Sequence, residues 1–170
     1  MKTTFLAILA LALGVPLATT AATPDELMAA PRQFIAALDR NDADAAAKTM
    51  IASPSFIDEF PPHAWSGPDA FKQWLGDYAA SNKAAKITGG KVKLGAPIVA
   101  QAEGDTAYVV ASASETYKQD GKRMAETSRM VFALRREGGD WKIVSWAWAG
   151  RQPHAEGAGA AKAPQAASGQ

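Results

Sequence analysis

Asp58, Glu59 and His63 form the densest cluster of proton-active side chains in the chain, bracketed by Phe60, Trp65 and Trp74. A carboxylate held against aromatic surface is desolvated, and its pKa climbs toward the range of a useful general base. His63 is the sole histidine ahead of the last twenty residues, and imidazole is the side chain that exchanges protons near neutral pH. One reading is therefore an Asp58/His63 acid–base pair acting on an apolar substrate. The competing reading leaves Asp58 and Glu59 as hairpin-surface charges and packs His63 on Trp65. Strand alternation sends Asp58 and Glu59 to opposite faces, so at most one of the two enters a pocket, and Asp58 is the candidate.

Trp65, Trp74 and Tyr78 are the aromatic candidates for lining such a pocket. Tyr108 and Ser112 join them, because they share a strand face with Val110 and Ser114, and small polar residues leave room for a cavity. Glu115 and Tyr117 fall on the opposite face. Arg129 is expected to bridge to Glu115 across the sheet, with recognition of an anionic ligand as the alternative. Trp141, Trp146 and Trp148 are read as core or interface residues, with ligand stacking as the alternative. With no cysteine and two histidines, no recognisable metal cluster or thiol nucleophile is available, and no cofactor is expected. The chain has no G-x-S-x-G, H-E-x-x-H, P-loop or dinucleotide fingerprint. A net charge of +1 gives no footprint for nucleic acid.

The elements that position these residues come in two blocks. Thr23-Pro24-Asp25-Glu26 is a helix start with a capping box. Leu27, Phe34, Ile35 and Leu38 make one helical stripe, which Pro31 is expected to bend or restart. Asn41-Asp42 punctuates, and 43–50 reads as a second short helix. A short strand follows at 56–60, then a turn at Pro61-Pro62. Ser66 and Asp69 start a third helix, whose face is Phe71, Trp74, Leu75 and Tyr78, ending near Asn82. From Thr88 the period becomes two. Segments 91–102, 106–118, 122–136 and 141–149 read as strands joined by Gly104-Asp105, Asp120-Gly121 and 137–140. Three short turns in succession make an antiparallel meander. The fold class is α+β: three helices on a curved four-stranded meander, with a small hairpin beside it.

The ends read differently. Residues 1–22 carry Lys2, a thirteen-residue apolar run from Phe5 to Leu17, and small residues suited to cleavage after Ala22, with Ala21 the alternative. That is the pattern of a secretory signal, and the run is shorter than the ~20 residues of a membrane span. No later segment is apolar enough to span, so a periplasmic or secreted location is expected. Residues 152–170, rich in Ala and Gly, read as a disordered tail. The domain is 23–151.

Four segments carry a resemblance: Phe34 to Ala43, Phe56 to Phe60, Trp65 to Ala70, and Gly139-Asp140-Trp141-Lys142-Ile143-Val144-Ser145-Trp146. Together with the order of elements they are similar to the nuclear transport factor 2-like superfamily, in its SnoaL-like, ketosteroid-isomerase-like branch. The resemblance spans about Pro24 to Arg151. It implies a cone-shaped fold, a pocket between sheet and helices, and commonly a homodimer. Ketosteroid isomerases in that branch pair a general base with a Tyr and an acid. No motif aligns Tyr78, Tyr108 or Tyr117 to that role, so no catalytic assignment carries over.

The expectation is an exported protein that holds a small, mostly apolar molecule in the cone. The alternatives are an isomerase, dehydratase or cyclase using Asp58 and His63, and a structural dimerisation module. A homodimer through the outer sheet face is expected, because bulk on both faces of the last two strands exceeds what three helices can cover.

Overall fold

The computed structural model describes residues 21–150 and 153–155. Thr23 caps the first helix, α1 (Pro24–Asp39): its Oγ1 accepts from the Glu26 N–H, and Glu26 Oε2 accepts from the Thr23 N–H at 2.6 Å. Pro31 lies inside α1 as a buried residue, and one helix runs through it rather than restarting there. Asn41 takes a left-handed φ of 56°, and Asp42 Oδ1 accepts from the Ala45 N–H to start α2 (Ala43–Ala47). The first hairpin is β1 (Met50–Ile57) with β2 (Ala64–Ser66). Then comes α3 (Ala70–Ala84), in which Trp74 is buried and Phe71, Leu75 and Tyr78 pack against the core.

The meander follows as expected: β3 (Ile87–Glu103), β4 (Thr106–Gln119), β5 (Lys122–Glu137) and β6 (Asp140–Gly150). Asp120 and Gly121 both take positive φ, at 48° and 78°, as a tight two-residue hairpin demands. The sheet itself is larger than a four-stranded meander with a separate hairpin. Its order is β2-β1-β6-β5-β4-β3, with a short β7 (His154–Ala155) pairing β5. The hairpin joins because β1 runs parallel to β6, with Phe56 opposite Trp146. Parallel partners far apart in the chain leave no turn between them, so the sequence carries no local sign of this pairing.

A second difference sits in β6. Ala133 pairs Ser145 while Leu134 pairs Ile143, so Val144 is an extra residue. A bulge resets the alternation. Trp141, Ile143 and Trp146 consequently all reach the same core, and bulk is not shared between the two faces of this strand. That core is built on α1 and the inner sheet face, with Phe34, Phe56, Phe132, Leu27 and Leu134 fully buried. Residues 1–20, where the signal was read, lie outside the described residues. Most of 152–170 does too, and within it His154–Ala155 forms β7. Among the described residues no helix is long and apolar enough to cross a membrane.

Candidate functional site

A cavity of about 730 Å³ opens between α1, α3 and the inner face of the sheet. Its apolar wall is aromatic. Trp74 stacks on Tyr78 with centroids 5.3 Å apart and meets Trp146 edge-on at 5.3 Å. Phe34 lies 6.0 Å from Trp146. Such offset and edge-to-face pairs hold rings firmly.

The polar part of the wall is acidic. Asp58 and Glu59 both line the cavity, which corrects the expectation that one of them would turn away. The reason is local: β1 ends at Ile57, so pleat alternation no longer governs the next two residues. They enter a turn closed by Asp58 N–H to the His63 carbonyl, 3.1 Å, and His63 N–H to the Phe60 carbonyl, 2.9 Å. Asp58 Oδ1 accepts from the Glu59 N–H, and Oδ2 accepts from the Trp74 indole N–H at 2.9 Å. From the sheet, β4 contributes Glu115 and Tyr117. Tyr78 donates to Glu115 Oε1 at 3.4 Å. Directly opposite Glu115 in register stands Glu126 of β5, 1% exposed, accepting from the Trp148 indole at 3.0 Å.

Burial raises the proton affinity of these acids, and neighbouring carboxylates add to it at Glu59 and Glu115. Burial, then Glu126 and Asp58, push Glu59 up to about 7. Burial, then Glu59, push Glu115 to about 7. Burial raises Asp58 against the opposing hydrogen bond from Trp74. Tyr78 goes up to about 12, by burial and then the neighbouring Glu115 charge. Carboxyls at about 7 can give or take a proton at neutral pH. Gly150 abuts the cluster: a Cβ there would collide with Glu126 Oε1, Trp148 Nε1 and Glu59 Oε2. Among the described residues no group of three or more His, Asp or Glu is arranged to hold a metal ion.

Of the residues singled out from sequence, Asp58, Trp74 and Tyr78 meet at this cavity. His63 does not. It is exposed at φ 72°, and its Nδ1 meets the Asp58 backbone carbonyl at 3.2 Å rather than the carboxylate. Trp65 is buried and donates to Asp77 Oδ2 at 2.8 Å; it borders a separate open depression with Asp69 and Lys72. Tyr108 is 47% exposed and Ser112 is exposed. Their strand face is the outer one. The alternation along β4 is as read, but the inner face is Ala107, Val109, Ala111 and Ala113, continuing to Glu115 and Tyr117. Both faces carry small residues, so size could not say which was inward. Arg129 stands opposite Ser112 on the outer face and so cannot face Glu115. Sequence reasoning missed Glu59, Glu115 and Glu126 as a group. Glu115 and Glu126 face each other on adjacent strands, but the inward side is set by the helices and not by the strands themselves.

Residues 27–148 match the family model of the SnoaL-like domain. The chain belongs to the SnoaL-like family. As a SnoaL-like protein it has the nuclear transport factor 2-like fold, and solved structures agree. A ketosteroid isomerase-like protein from Erwinia carotovora atroseptica superposes with a TM-score of 0.59 at 18% identity, over 76% of this chain and 97% of that one. A nuclear transport factor 2-like superfamily protein from Salmonella enterica serovar Typhimurium gives 0.61 at 18% identity, over 81% and 96%. One with a cystatin-like fold from Novosphingobium aromaticivorans gives 0.59 at 17%, over 73% and 79%. At such identities the likeness is one of fold. No curated protein matches the chain.

Proposed function

We propose that this SnoaL-like chain is an exported protein that binds a small, mostly apolar molecule in the cone cavity. The observation that carries this is the unfilled space of about 730 Å³ with aromatic walls, inside an otherwise packed core. Clefts of this size and lining are the usual sites of small-molecule binding. A purely structural module would fill that space with side chains. The test is uptake of the neutral dye Nile red. Binding with a fluorescence rise is expected, lost when Leu38 or Ala79 on the wall is enlarged to Trp. Failure of the dye and of a panel of neutral aromatics to bind would sink the reading. Export to the periplasm or beyond rests on residues 1–22 and is checked by N-terminal sequencing of the mature chain.

A second reading is favoured by one feature, the carboxyls poised at about 7. Isomerase, dehydratase or cyclase chemistry needs a proton acceptor and donor within one cavity. Here Asp58 with Glu59 or Glu115 would supply them, in place of the Asp58/His63 pair. A homodimer through the outer sheet face belongs to the same proposal. The motive changes with the bulge in β6: it is no longer bulk on both faces. Val110, Val131, Ala133 and Ala147 lie on the face away from α1 and α3, beside the exposed Tyr108. Light scattering at micromolar concentration showing a monomer would remove it.

A further inference from the structure

The charge on the cavity wall is one-sided. Among its described lining residues, Asp39, Asp42, Asp58, Glu59 and Glu115 are acidic, and Lys91 alone is basic. Lys91 is already engaged: its Nζ donates to the Asp39 carbonyl at 3.1 Å and to Asp39 Oδ1 at 3.2 Å. Asp58 lies close enough to raise the proton affinity of both Glu59 and Glu115, and Glu59 that of Glu115, and the groups donating to Asp58 and Glu115 are neutral indole, amide and phenol. Aromatic rings flank them. Trp74 hydrogen-bonds to Asp58 and stacks on Tyr78, which Phe60 approaches at 5.7 Å. A cation gains from both partners at once, from carboxylates by charge and from ring faces by their quadrupole.

We propose that the occupant is an amine or ammonium compound with an aromatic or aliphatic body, its nitrogen seated among Asp58, Glu59 and Glu115. This rests on the cavity being a binding site and adds the chemical class of what it holds. An acid or a phosphate ester is disfavoured by the same wall.

The test uses the mature full chain loaded with Nile red and three competitors sharing one body: phenoxypropylamine, phenoxypropanol and phenoxypropionate. Displacement is read by dye fluorescence, and direct binding by the chain's own tryptophan emission. The amine is expected to bind at least about tenfold more tightly than the alcohol, a difference of about 1.4 kcal/mol, and the carboxylate more weakly than either. In Glu59→Gln/Glu115→Gln the amine should lose most of that advantage, while its affinity relative to the carboxylate converges. Equal displacement by amine and alcohol overturns the inference and leaves the cavity reading intact. An amine preference that also survives the addition of Asp58→Asn to that variant overturns it, since the charge then lies elsewhere. If the dye itself never enters, the cavity reading fails and the inference with it.

Discussion

Followed along β4 and β5, the inner sheet face changes character within a few residues. At one end it reads Val109 and Ala111 beside Phe132 and Met130, all buried, in contact with α1 and the rings of the core. At the other it reads Glu115 beside Glu126, two acids in direct register. The first region lowers its free energy by packing. The second holds groups that repel, and it is the region that borders open space. Where a fold carries local conflict of this kind, the site is where to look for function. The aromatic end contributes packing, and the acidic end contributes the charge that borders the cavity.

The contrast can be broken most severely at the packed end. Phe132 is fully buried, and Phe132→Ala should cost about 3–5 kcal/mol in chemical denaturation. A loss near zero would mean the core is not where the stability lies. Gly150→Ala tests the join between the regions. Its methyl group would land on the carboxylates of Glu59 and Glu126, and overpacking of this kind costs about 1–3 kcal/mol. Because Glu59 and Trp148, which the methyl group would displace, belong to the cavity wall, dye affinity should fall with it.

The acidic end responds to pH, and the sign can be worked out. Glu59 and Glu115 titrate at about 7 in the folded chain against the usual 4.5. Between those values the native state binds more protons than the unfolded one. Their contribution to stability is complete below about pH 4.5 and is lost as pH rises through about 7. Asp58 shifts in the same direction. The Tm should therefore be several degrees higher at about pH 5 than at about pH 8, with Glu59 contributing less because it stays partly in solvent. Glu115→Gln should raise the Tm at the higher pH and flatten the slope. A Tm that climbs with pH over this range would contradict the cluster. The smallest effect is expected at His63: His63→Ala should alter stability by about 0.5 kcal/mol or less and leave dye affinity as it was, whereas Asp58→Asn should change it.

The fold was legible where the cause was local. The capping box at Thr23, the stripe Phe71-Trp74-Leu75-Tyr78, and the Asp120-Gly121 turn each act within a few residues of themselves, and the segments 24–39, 70–84 and 106–137 follow from them. It was not legible where the cause was remote. The union of β1 with β6 depends on partners at opposite ends of the domain, and the extra residue at Val144 shows only against β5. The site was legible in part for the same reason. Asp58, Trp74 and Tyr78 sit near one another in sequence and meet in space. Glu115 could be placed on its strand but not on its side of the sheet, because the side depends on which face the helices choose. His63 drew attention by its chemical type, and type alone does not position a ring.

The parallel pairing of β1 with β6 also orders events in time. Chain order and sheet order disagree: the hairpin is made early, and its neighbour in the sheet is among the last strands to be made. A ribosome that has released residues through β5 has released a meander and a hairpin with no edge in common. Only when β6 emerges can Phe56 find Trp146, and only then does the cavity acquire Trp146 and Trp148. Contacts of such long sequence separation form slowly. Until β6 pairs with β1 the hairpin is joined to no other part of the sheet, and the cavity wall is completed only by one of the last strands.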